Sequence, residues 1–194
     1  SETAYYYVEV LPGESGTVYN GVTYKLDHKD TSPGTGFTVT NEDKYPITGF
    51  TYSGGTANKR PYNNAKFYYT RNSYDIVFMN NGTQDKKVSK KYQQSISDAG
   101  YTPQAPAGME DYIFVGWYDN ELGEGTAYVF DGKTMPAQNI TLYAKWKAPE
   151  YTVTAHGSSD GSVTVSKGGT VSPEDFDSVK PDLAADEQWM GWAL

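Results

Sequence analysis

Two histidines, His28 and His156, are the only imidazoles in the 194 residues, and there is no cysteine. A zinc centre gathers three or four nitrogen or sulfur ligands. Two histidines far apart in the chain therefore read as surface residues. The same scarcity removes Ser-His-Asp and Cys-His nucleophile arrangements. Paired carboxylates are the remaining route to hydrolysis, and 24 acids are present. Nearly all fall in turn-like stretches, where no deep cleft is expected to gather them. The loop Asp119-Asn120-Glu121-Leu122-Gly123-Glu124-Gly125 has enough oxygens for calcium, but it lacks EF-hand spacing and reads as a solvated acidic loop. Gly34-Thr35-Gly36 and Gly168-Gly169 read as turns, and no phosphate-binding glycine loop or nucleophile elbow is present. No enzyme activity, cofactor or metal is expected.

Binding chemistry is better represented. Tyrosine occurs 18 times. Its ring can be buried while its hydroxyl reaches a wet rim. In Tyr5-Tyr6-Tyr7 and Tyr68-Tyr69 the rings alternate between the two faces of a strand. One set is expected in the core. The other either packs between modules or faces outward to meet sugars or a partner protein.

The elements that carry these residues must be short strands. Twenty glycines and ten prolines favour frequent turns over long helices. The net charge of −8 argues against nucleic acid, whose phosphates demand a basic face, and against an anionic membrane surface. No stretch approaches the roughly 20 apolar residues of a membrane helix. The start at Ser1 reads as a mature fragment or a cloned piece, with no signal peptide in view.

Internal repetition organises the chain. Lys66-Phe67-Tyr68-Tyr69-Thr70-Arg71 precedes Tyr74-Asp75-Ile76-Val77-Phe78. In the same way, Thr141-Leu142-Tyr143-Ala144-Lys145-Trp146 precedes Tyr151-Thr152-Val153-Thr154. Gly116-Trp117-Tyr118 recurs as Gly191-Trp192-Ala193 about 75 residues later, with Gly49-Phe50 as a looser counterpart. The spacing divides the chain into modules at 1–72, 73–148 and a partial one at 149–194. Asn20-Gly21, Asn81-Gly82 and Asp160-Gly161 mark hairpin turns. Short helices are expected at Thr40 to Asp43, at Gln93 to Ala99 closed by Gly100, and at Ser172-Pro173-Glu174-Asp175. The strand Tyr112 to Tyr118 is bulky on both faces and is expected to be covered on both. Trp117, Trp146 and Trp192 are expected in cores, and Trp189 at a rim. The joints Arg71-Asn72-Ser73 and Lys147-Ala148-Pro149-Glu150 are too short to be flexible linkers.

The middle module resembles the internalin B-repeat, or Listeria–Bacteroides repeat. The likeness lies in Tyr74 to Phe78 with Asn80-Asn81-Gly82, in Tyr112-Ile113-Phe114-Val115-Gly116-Trp117-Tyr118, and in Met135-Pro136-Ala137-Gln138-Asn139-Ile140-Thr141-Leu142-Tyr143-Ala144-Lys145-Trp146. The third module is similar to the front half of that repeat. The first is similar to mucin-binding-type repeats, through the joint Tyr68 to Asn72. The resemblance implies tandem β-grasp-like modules of mostly β (α+β) class, each a mixed sheet with one short helix, arranged as an elongated rod. It also implies an extracellular place, on a bacterial cell surface or secreted, as a stalk or spacer in adhesion. The alternative is a module that binds a host glycoprotein, mucin or wall polysaccharide through exposed tyrosines. Self-association through module edges is a further expectation. The third module lacks the strands that follow Gly-Trp, so either disorder near the end or a contact over its open edge is expected. Leu11-Pro12-Gly13-Glu14-Ser15 is internal and departs from a wall-sorting motif.

Overall fold

The computed structural model describes residues 2–32, 45–56, 65–156, 161–172 and 174–175. Among them eleven strands form three sheets. Five strands make the first sheet: β1 (Glu2–Glu9), β2 (Thr17–Tyr19), β3 (Val22–Ser32), β4 (Phe50–Gly55) and β5 (Ala65–Arg71), in the order β2-β3-β1-β5-β4. The second sheet holds β6 (Ser73–Asn80), β7 (Thr83–Lys91), β8 (Ile113–Tyr118) and β9 (Ile140–Lys147), in the order β7-β6-β9-β8. The third is the hairpin of β10 (Glu150–Ala155) and β11 (Gly161–Ser166).

The first two sheets are wired alike. Each opens with a central strand that turns back on itself: β1 pairs antiparallel with β3, and β6 with β7. Each central strand also pairs parallel with the closing strand, β5 or β9. The remaining strand, β4 or β8, runs antiparallel on the far side of the closing strand. The turns are those expected. Asn20 and Gly21 have φ of 48° and 79°, and Asn81 and Gly82 have 51° and 83°. Positive φ at both central residues suits a two-residue hairpin to the strands' twist. Asp160 of the third turn lies outside the described residues.

One face of the first sheet buries Ala4, Tyr6, Val8, Ala65, Phe67 and Tyr69, with Ile47, Phe50 and Tyr52 packed at the edge. These positions alternate along β1 and β5, as a half-buried strand requires. The second sheet buries Ile76, Phe78, Trp117 and Leu142 against Ile96, Ala99 and Met135, which lie in the connections.

The expected α+β class is overturned: no α-helix forms among the described residues, while the mostly β, mixed-sheet part of the expectation agrees. Over Gln93 to Ala99 the chain makes turns. Gln93 takes φ of 67°, which breaks any helix at its start. The backbone finds partners across the fold: Gln93 N–H donates to the Met135 carbonyl at 2.8 Å, Met135 N–H to Gln94 at 2.8 Å, and Ile96 N–H to Lys133 at 3.0 Å. A seven-residue helix barely outgrows its own nucleus, so this two-strand lacing wins. It packs Ile96, Ala99 and Met135 against the second sheet. At Glu174 and Asp175 the capping chemistry survives as a short 3₁₀ segment rather than an α-helix. The Ser172 N–H donates to Asp175 Oδ2 at 2.9 Å, and the Asp175 N–H to the Ser172 carbonyl at 3.1 Å. The helix expected at Thr40 to Asp43 lies outside the described residues, as do Trp189, Gly191-Trp192 and the end of the chain on which the open-edge expectation falls.

Strand β8 is covered on one face along its first part, where Ile113 is 59 % exposed and Val115 42 %, and on both faces at its end, where the successive residues Trp117 and Tyr118 are buried. A bulge at Phe114/Gly116 re-aims the strand so that Trp117 enters the core, 3 % exposed. Its Nε1 donates to the Tyr101 carbonyl at 2.7 Å.

Candidate functional site

No group of three or more histidine, aspartate or glutamate side chains is gathered to hold a metal among the described residues. His28 lies on β3, stacked on Tyr6 with ring planes 4° apart, its Nδ1 2.7 Å from Asp27 Oδ2. His156 is exposed after β10. The acidic loop after β8 is organised from within. Asn120 accepts from the Glu124 N–H and donates to the Glu124 carbonyl, both at 2.9 Å. Lys145 Nζ donates to the Gly123 carbonyl at 2.8 Å and lies 5.0 Å from the Tyr118 ring centre. An ammonium thus occupies one of the loop's carbonyl oxygens.

Several tyrosines of the first sheet meet one another. On the second face of the first sheet the edge strand β2 curls back, and Tyr19 lies 3.9 Å from Tyr68 with planes 7° apart. Tyr7 stacks on Tyr68 at 5.3 Å, and Tyr24 meets it edge-on at 4.9 Å. Tyr24 and Tyr68 are thereby buried. On the first face burial pushes the Tyr69 hydroxyl up to about 12. The rings of Tyr7, Tyr19, Tyr24 and Tyr68 all belong to the first sheet, whereas Tyr92 reaches across the joint to Phe50. Tyr45 and Tyr151 remain about half exposed, at 48 % and 49 %.

The most constructed feature is the joint between the first two sheets, where Asn72 alone separates β5 from β6. Arg71 ends β5 and is 4 % exposed. Its Nε and Nη2 donate to the Glu9 carbonyl at 3.1 and 2.9 Å. Its Nη1 reaches the other way, to the Tyr92 carbonyl at 2.8 Å and Gln93 Oε1 at 2.9 Å. The guanidinium lies over the Phe50 ring at 4.8 Å. Burial pulls its pKa below the ordinary arginine value, with Glu14 and Glu9 opposing the change. Around it, Asn72 N–H donates to the Gly49 carbonyl at 2.9 Å, and Tyr92 N–H to Asn72 at 2.8 Å. Lys91 Nζ pairs with Glu9 Oε2. The Tyr92 ring packs over Gly49, where an added Cβ would lie 2.0 Å from it, and meets Phe50 edge-on at 5.7 Å.

The second joint is held at the surface. Lys167 Nζ bonds both Asp111 oxygens at 2.7 Å, and Tyr151 Oη donates to Asp111 Oδ2 at 3.2 Å. Lys147 and Glu150 approach to 3.8 Å with side chains 60 % and 50 % exposed. The bond from Lys167 lowers the pKa of Asp111, and the same bond raises that of Lys167.

Sequence reasoning found the joints by their length but gave Arg71 no role. The signal was there: Arg71 stands where the repeated strand has Trp146, an inward-facing position.

Residues 74–145 match the Listeria-Bacteroides repeat domain. The chain is 34 % identical over 155 residues to Internalin H of Listeria monocytogenes, covering 68 % of this chain and 27 % of that protein. It is 31 % identical over 125 residues to a protein of Evansella cellulosilytica whose name describes it as a membrane protein, covering 62 % of this chain and 17 % of that one. No helix among the described residues is long and apolar enough to cross a membrane.

Proposed function

We propose that this chain, with its Listeria-Bacteroides repeat at 74–145, is a non-catalytic segment of a bacterial cell-surface or secreted protein that serves as a spacer in adhesion. Its units are residues 1–72, a mucin-binding-like β module, 73–148, a B-repeat module, and 149–194, a partial B-repeat module. The observation that carries the reading is the repeated wiring: β3-β1-β5-β4 is followed, after one residue, by β7-β6-β9-β8. A unit copied and joined so closely sets a distance between whatever lies on either side of it. The relation to Internalin H supports a surface setting.

The alternative, a module that binds a host glycoprotein, mucin or wall polysaccharide, has less to stand on. Among the described residues, the rings of Tyr6, Tyr7, Tyr19, Tyr24, Tyr45, Tyr52, Tyr68 and Tyr69 already meet another tyrosine. Self-association through sheet edges is restrained at β7, which carries Lys86, Lys87, Lys90 and Lys91 on the outer strand of its sheet; such lysines oppose edge-to-edge pairing.

The test is replacement in the parent protein on intact cells. Exchange for an unrelated folded segment of equal reach should preserve adhesion, while deletion should weaken it. Loss of adhesion in both would refute the spacer and favour the binding reading. Protection of this segment from protease added outside the cell would count against surface exposure.

A further inference from the structure

The repeat sets one position in two chemically different ways. In the parallel pairings Tyr6 faces Phe67 and Phe78 faces Leu142. Four residues beyond Phe67 and Leu142, on the same face of the closing strand, lie Arg71 and Trp146. Trp146 turns home. Its Nε1 donates to Asn80 Oδ1 at 2.8 Å and its ring lies 5.4 Å from Phe114, both in its own sheet. Arg71 leaves. Its planar fork holds the end of β1 with two nitrogens and the Tyr92-Gln93 turn of the next sheet with the third.

We infer that Arg71 is an inter-module latch, which makes the first and second sheets one rigid body that opens and unfolds as a unit. This stands on geometry alone and does not depend on the spacer reading. A buried guanidinium is tolerated only while its donors are met, and here they are met only while both sheets are in place. Swinging the sheets apart strands the charge and the Tyr92 carbonyl together. The Tyr92 ring against Gly49 and Phe50 closes the same seam from outside. A lysine could not substitute, because a single ammonium lacks the rigid fork that spans two directions.

The absence of cysteine makes the test clean. Spin labels are placed at Lys29→Cys and Ala107→Cys, both exposed and away from the seam, in the full 194-residue chain. Electron paramagnetic resonance then reads the distance distribution between the two sheets. The parent should give one narrow peak. Arg71→Met should broaden it about twofold or more, since the sheets then move independently. An unchanged width would overturn the latch. In case Arg71→Met does not fold, Arg71→Lys keeps the charge and the stem but lacks the fork that spans both sheets. It should broaden the peak while hydrogen exchange shows both sheets intact, and a narrow peak there overturns the inference equally.

Discussion

The two joints of this chain differ in where their polar contacts lie. Between β5 and β6 the contacts are buried and directed by one arginine. Between β9 and β10 they are ion pairs among exposed side chains. Exposed pairs contribute little and are screened by salt. Buried donors that would be left unmet hold their geometry far more strongly. A short linker is therefore not in itself a stiff one. Stiffness follows from whether the last inward-facing residue of a module bonds forward or back.

The largest expected effect is at the buried joint. Arg71→Met removes the bonds to the Glu9 and Tyr92 carbonyls and should cost about 3 kcal/mol. It should also split one unfolding transition into two, as read by calorimetry; a single transition with unchanged midpoint would erase the contrast between the joints. Gly49→Ala comes next. Gly49 has φ of 83° and faces the Tyr92 ring, so a methyl group is both strained and obstructed, and about 2 kcal/mol should be lost. The Arg71→Met and Gly49→Ala losses should not add, because both act through one seam.

The smallest effects belong to the surface joint. Asp111 has its pKa lowered by Lys167, so the contact is present in full above the ordinary aspartate value of 3.8 and is lost as pH falls through the lowered one. Lys167 has its pKa raised, so the same contact is lost as pH climbs through a value above 10.5. Tyr151, the Tyr112 ring and Glu110 are the other groups facing this pair. Labels at Ala107→Cys and Thr164→Cys should report a broader distance at pH 2 than at pH 7, and likewise in 1 M salt at about three Ångströms of screening length. The Lys29 and Ala107 pair should respond to neither. Equal responses at both joints would remove the distinction.

Much of the architecture was legible because it is local or periodic. Asn20-Gly21 and Asn81-Gly82 announce their hairpins, and alternation in Tyr5 to Val10 and Asp75 to Met79 announces the central strands. The helix expected at Gln93 to Ala99 failed because its backbone partners, Lys133 and Met135, lie far along the chain, where no local propensity reads them. Exposed Ile113 and Val115 were misplaced for a related reason: a bulge changes which residues face inward. The tyrosine excess was visible, but its destination, rings stacked on Tyr68, depends on the curl of β2. Arg71 escaped because a charged residue at a joint looks like solvent-facing punctuation until the register places it beside Glu9 and Tyr92.

The parallel pairing of the first and last strands in each of the two complete sheets has a mechanical meaning. The chain enters at one end of β1 or β6 and leaves at the opposite end of β5 or β9. Tension applied along the chain would slide these neighbours lengthwise past each other. The cross-bonds from Ala4 to Val8 and from Ile76 to Met79 would then have to give way together. A hairpin pulled at its two open ends peels one bond at a time, and β10 with β11 is the part of this molecule disposed to yield in that way.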